Sequence, residues 1–120
     1  MGIREHVRLA HALADWVRAD QRFELSAPVV MGVICFRLVD PDESQADRLN
    51  AEIVERINTS GAAYLNQTKL RGRTVMRIGL GNVLTTEKHL RNVWELIRTA
   101  ATALGAETSN TKLQAPAKLQ

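Results

Sequence analysis

The chain has 120 residues, 45% of them hydrophobic and 24% charged, with a net charge of +3. That is the size and balance of one globular domain able to bury its own core, and it excludes a disordered chain. The single cysteine, Cys35, excludes an internal disulfide and a cysteine-based metal site.

Residues 2–20 place Ile3, Val7, Ala10, Leu13 or Ala14, and Val17 at helical spacing, with Arg4, Arg8, Asp15 and Arg18 opposite and Trp16 near the seam. "FELSAP" at 23–28 alternates and stops at a proline, the pattern of a short edge strand. Gly32 breaks the chain before "GVICFRLV" at 32–39, which is strongly β. "DPDE" at 40–43 opens a helix, with Asp40 as cap, Pro41 in the first position and Glu43 closing a capping box. Ala46, Leu49, Ile53, Val54 and Ile57 then share one face, and Gly61 is the stop. "AAYLNQTKL" at 62–70 and "RTVMRIGL" at 73–80 read as a hairpin turning at Arg71-Gly72. Thr85 or Thr86 caps a last helix carrying Leu90, Val93, Trp94, Ile97, Ala101 and Leu104, which Gly105 ends. The polar stretch 106–120 lacks periodicity and is expected to be a disordered tail, leaving residues 1–105 as the domain.

The order α-ββ-α-ββ-α implies an α+β fold, a four-stranded antiparallel sheet with three helices packed on one face. Strand alternation gives each of two strands a clean apolar face: Ile34, Phe36 and Leu38, and Met76, Ile78 and Leu80. The opposite face is mixed. It holds Val33, Cys35, Arg37 and Val39 on one strand and Val75, Arg77 and Gly79 on the other, and it looks toward solvent or toward something outside this chain. An arginine on a solvated sheet face needs no special explanation. Arg77 differs from Arg37 in being followed by glycines, which allow close approach of a ligand or of another backbone.

The usual site motifs are absent. "GLGNVL" at 79–84 lacks the third glycine of a dinucleotide fingerprint and follows a hairpin strand, so it reads as a turn with close packing. His6, His11 and His89 have no metal-ligand spacing and read as surface residues. No serine sits in a nucleophile elbow. Asp15, Asp20, Glu24 and the "DPDE" acids suit caps and solvated faces. Cys35 reads as a small buried hydrophobe. The basic "KLRGR" at 69–73 is a hairpin rim rather than a stripe for nucleic acid. No apolar run reaches membrane-spanning length and no signal-peptide pattern opens the chain, so the expected compartment is the cytoplasm.

Five pieces taken together carry a resemblance: "CFRL" at 35–38, "LN…ERIN.SG" at 49–61, "YL" followed by "TKL" at 64–70, "VMRIGLGN" at 75–82 and "T.EKH…VWELI" at 85–97. In this order and spacing, over roughly residues 3–104, the chain resembles the C-terminal small domain of pyridoxal-phosphate-dependent group II decarboxylases, on the aromatic-L-amino-acid branch. The resemblance implies a small domain of a fold-type I enzyme, a carboxy-lyase acting on aromatic amino acids. It implies a homodimer, and a separate large domain that carries the cofactor lysine and the aspartate paired with the pyridinium nitrogen.

Lys69, Lys88, Lys112 and Lys118 do not stand in the context of that lysine. Pyridoxal phosphate is therefore expected in the full enzyme and not in this chain, which is read as an excised domain or a split or truncated product, inactive without its large domain. For Arg77 the resemblance implies substrate binding through the α-carboxylate, as in the related glutamate decarboxylases, or a salt bridge to the large domain. A guanidinium suits a carboxylate, but only differential stabilisation speeds loss of CO₂, so such an arginine binds and positions. Two other readings stay open: a stand-alone module for protein association, and an effector-binding regulatory domain. Uncovered, the mixed face predicts self-association.

Overall fold

The computed structural model describes residues 3–80 and 86–117. Helix α1 (Ile3–Ala19) turns Leu9, Ala10, Leu13, Ala14 and Val17 inward along one stripe, and all five are fully buried. Strands β1 (Phe23–Leu25) and β2 (Val33–Leu38) follow, then helix α2 (Glu43–Ser60). Strands β3 (Asn66–Leu70) and β4 (Arg73–Gly79) precede helix α3 (Glu87–Ala117). The strands form one antiparallel sheet in the order β1-β2-β4-β3, so β2 and β4 are central.

Alternation sends Ile34, Phe36, Leu38, Met76 and Ile78 to one face, and Leu80 follows them. There they join buried residues of all three helices in a single core. Its centre is an aromatic trio. The ring centroids of Phe23 and Trp94 lie 4.9 Å apart, and those of Phe36 and Trp94 6.0 Å apart, both edge-on. The three helices thus lie on one face, as the sequence predicts.

The turns show why the elements end where they do. Arg71 (φ 52°) and Gly72 (φ 78°) are both left-handed, which is the two-residue hairpin geometry that matches strand twist, and they link the paired Leu70 and Arg73. Gly61 (φ 78°) closes α2, its N–H donating to the Asn58 carbonyl at 3.2 Å. At the start of α2 the cap is Asp42 rather than Asp40: its carboxylate accepts from Ser44 N–H and Gln45 N–H. Asp40 sits one step earlier and accepts from Asp42 N–H at 2.9 Å, which fixes the entry to the cap. Thr86 caps α3, its hydroxyl accepting from His89 N–H at 3.1 Å, whereas Thr85 lies outside the described residues.

Three expected boundaries move, the first being the end of β1, at Leu25 rather than at Pro28. The strand expected over 62–70 occupies only Asn66–Leu70. The backbone of Leu65 is engaged by the side chain of Asn58 instead of a neighbouring strand, and Leu65 is a core plug, 1% exposed. Helix α3 does not stop at Gly105 but runs to Ala117, through most of the expected tail. A glycine inside a helix costs only about 1 kcal/mol against alanine, and Ala106, Glu107, Lys112, Leu113 and Gln114 are good helix formers. Residues 118–120 of that tail lie outside the described residues.

Candidate functional site

The sheet face away from the helices carries the arginine singled out by the sequence. Arg77 is half-buried on central strand β4, with Cys35 opposite it on β2 and Asn66 opposite it on β3. Among the described residues its guanidinium has no ion pair and no side-chain hydrogen bond. A Cβ added to Gly79 would meet nothing within 4 Å. Among the described residues nothing therefore packs closely at this glycine. Gly81, the second of the pair, lies outside the described residues. Half-burial pushes the Cys35 thiol up, an effect the Arg77 charge partly opposes. Cys35 is thus a protonated thiol with a small profile beside the arginine, and not fully buried as expected.

Arg37 corrects the picture of a solvated face. It is only 2% exposed. Its Nη2 donates to Glu43 Oε1 at 3.1 Å, and the other carboxylate oxygen of Glu43 lies 3.4 Å from Arg73 Nη2. Val75, next to it on the same face, is 1% exposed and stands apart from the main core. Among the described residues Arg37 Nε and the buried hydroxyl of Ser26 have no hydrogen-bond partner. Residues Arg37 and Ser26 are among those lining a hollow of about 60 Å³. The sequence reading missed this site. The one available signal was Glu43, an acid at a helix start six residues beyond Arg37.

Other expected surface residues are resolved individually. Asp20 is not a solvated acid. Its side chain is 11% exposed, and it accepts from Arg22 (2.8 Å) and Arg98 (3.1 Å), which pull its carboxyl down to about 2, the Arg22 hydrogen bond foremost. His6 is half-buried under Gly32, where an added Cβ would come within 3.1 Å of His6 Cβ, while His11 and His89 are exposed. Among the described residues no three His, Cys, Asp or Glu side chains form a metal-binding group. No described helix is long and apolar enough to cross a membrane.

A pyridoxal phosphate site needs a lysine held in a pocket, an acid for the ring nitrogen and a phosphate cradle. Lys69 and Lys88 do not fit one. Lys69 is exposed on β3 with its Nζ 3.9 Å from Asp47, and Lys88 is exposed in the first turn of α3.

The sheet, the helix layer on one face and the arginines on the other define an α+β module. No family model matches the chain. It is 38% identical over 108 residues to tryptophan decarboxylase 1 of Oryza sativa subsp. japonica, a match spanning 85% of this chain and 21% of that protein. It is 37% identical over 113 residues to the aromatic-L-amino-acid decarboxylase of Sus scrofa, spanning 93% of this chain and 22% of that one. Its fold matches the crystal structure of Oryza sativa TDC with PLP and tryptamine, with a TM-score of 0.81 at 38% identity, over 85% of this chain and 23% of that one. Its homologues are aromatic-L-amino-acid, tryptophan and tyrosine decarboxylases, and the chain is the counterpart of the C-terminal small domain of these group II pyridoxal-phosphate-dependent decarboxylases. It spans about a fifth of the length of the curated relatives it matches.

Proposed function

We propose that the chain is the small domain of a pyridoxal-phosphate-dependent carboxy-lyase for aromatic L-amino acids, and that it acts only when joined to a large domain that supplies the cofactor lysine. The observation that carries this reading is the 38% identity over 85% of the chain to a tryptophan decarboxylase of which it spans 21%. The exposed positions of Lys69 and Lys88 support it, because a Schiff-base lysine must come from elsewhere.

In this reading residues 1–105 dock on the large domain through the outer sheet face, the assembled enzyme is a cytoplasmic homodimer, and Arg77 meets either the substrate carboxylate or an acid of the large domain. This reading is supported by the position of Arg77 on a central strand, two residues before a glycine with no described neighbour within 4 Å. It binds and positions, and the chemistry of decarboxylation belongs to the cofactor.

The test is to mix the chain with the large domain of the same enzyme and pyridoxal phosphate, and to measure CO₂ release from tryptophan, tyrosine, dopa and phenylalanine. Neither part alone releases CO₂, and the mixture does. Stoichiometric binding of pyridoxal phosphate by this chain alone, seen as absorbance near the visible edge, would overturn the reading.

A further inference from the structure

We propose that the chain grips its large domain at one end of the sheet, through an apolar contact made by Val30, Met31 and Tyr64 around Arg77, and that the opposite, charged end stays in water. The inference rests on the reading of the chain as a decarboxylase small domain and adds where the two parts meet.

The two ends of the sheet differ in character. At one end Val33 pairs with Gly79, and Asn66 with Arg77. Val30 and Met31 form the tip of the β1–β2 connection there, closed by hydrogen bonds in both directions between Val30 and Val33. Leu80 N–H donates to the Gly32 carbonyl at 2.8 Å, which ties the tip to the end of β4. Tyr64 lies two residues before Asn66. Val30, Met31 and Tyr64 are 62%, 57% and 75% exposed, more than any other large apolar side chain among the described residues. At the far end the charges answer one another within the chain. Glu43 meets Arg37 and Arg73, and Asp47 meets Lys69. Arg77 is the one charge that the strands carry at the apolar end, and it has no ion pair among the described residues. Exposed tyrosine and methionine around an unpaired arginine is the composition of an interface centre.

Met31 sharpens the point. Its φ of 55° is a conformation that glycine takes freely and a side chain resists. A glycine would make the same turn with less strain, so what Met31 adds is its exposed, adaptable thioether chain.

Position identifies the occupant. The chain is the counterpart of a C-terminal small domain and spans 21% of a relative, so the large domain lies on the N-terminal side of α1 in the sequence. The tip stands against that end of α1: a Cβ added to Gly32 would come within 3.1 Å of His6 Cβ. Polypeptide leading into α1 arrives beside the tip, which brings the large domain within reach of it.

The association of the chain with the large domain of the same enzyme, measured by titration calorimetry, tests this. Tyr64→Ala and Met31→Gly are each expected to weaken it at least about tenfold, with the urea midpoint of the isolated chain unchanged. Val39→Ala and Leu96→Ala, which trim exposed apolar side chains elsewhere, change it less than about twofold. On association, amide hydrogen exchange slows at 30–33 and 64–66 and stays unchanged at 69–73. Binding as tight by the Tyr64 and Met31 variants as by the unsubstituted chain, or protection at 69–73 in place of 30–33, overturns the inference and leaves the decarboxylase reading standing. No association by the unsubstituted chain overturns both. Dimerisation of the isolated chain that Tyr64→Ala abolishes, and that the large domain does not displace, overturns the assignment and makes the occupant a second copy.

Discussion

The side chain of Asn50 grips the backbone of Leu38 at two points. Leu38 N–H donates to Asn50 Oδ1 at 2.8 Å, and Asn50 Nδ2 donates to the Leu38 carbonyl at 2.9 Å. Asn50 is fully buried on α2, and Leu38 is the last residue of central strand β2. Two turns further along the same helix, Asn58 does the same to Leu65, accepting at 2.7 Å and donating at 3.0 Å. Helix α2 is thus tied by two amides to the backbone on either side of its crossover. These asparagines belong to the "LN…ERIN.SG" segment that carries much of the resemblance, so that part of the signature serves the scaffold of the site.

Asn50→Leu preserves volume but leaves the Leu38 N–H and carbonyl without their partner at the edge of the core. The expected loss is about 2–4 kcal/mol. It is read as a lower urea midpoint with an unchanged slope. A change under about 0.5 kcal/mol would show that the backbone finds other partners.

The helix-covered face was legible because alternation and 3.6-residue spacing act locally: Ile34, Phe36 and Met76 on the sheet, Leu13 and Ile97 on the helices, all fall where their spacing puts them. The Arg71-Gly72 turn was legible because glycine permits positive φ. What failed was local logic applied to residues whose partners are distant in sequence. Alternation places Arg37 on the outer face, yet Glu43 and the hairpin tip bury it there. Asp20 reads as a solvated acid until α3 brings Arg98 to it. Asn58 reads as the tail of a helix, and its reach to Leu65 is what shortens β3. The lack of any described neighbour at Gly79 is equally invisible in sequence, since a glycine that avoids a clash and one with room beside it look alike.

Asp20 gives the fold a defined acid limit. Its folded-state carboxyl is held near 2, below the ordinary carboxylate value of about 3.9. A depressed carboxyl contributes stability above the unfolded value and loses it as pH falls toward the folded one. The contribution, on the order of 1–2 kcal/mol, is expected in full above about pH 4.5 and lost between about pH 4 and 2. Asp20→Asn lowers stability at pH 7 and flattens the pH profile across that window. Parallel profiles for the two proteins between pH 4 and 2 would show that the Arg22 and Arg98 contacts do not hold in solution.

Arg77→Ala separates the arginine's place in the fold from its place in function. Because Arg77 has no ion pair or side-chain hydrogen bond among the described residues, the substitution is expected to change the stability of the chain by less than about 0.5 kcal/mol. In the assembled enzyme a raised KM with unchanged kcat identifies uniform binding of the carboxylate, and weakened association of the two domains identifies a domain tie. A large loss of stability in the isolated chain would mean that the arginine serves the sheet itself.

Cys35 tests whether the outer face is as closed around the thiol as its half-burial implies. The thiolate is the reactive form, and burial raises the pKa of this thiol despite the nearby Arg77 charge. Alkylation by iodoacetamide at pH 7 to 8 is therefore expected to be slower than that of free cysteine, and to accelerate only at more alkaline pH. Arg77→Ala removes the opposing charge and is expected to slow it further. A rate at neutral pH equal to that of free cysteine would place the thiol in solvent, and an Arg77→Ala variant that reacts faster would show that the guanidinium shields the sulfur more than it stabilises the thiolate.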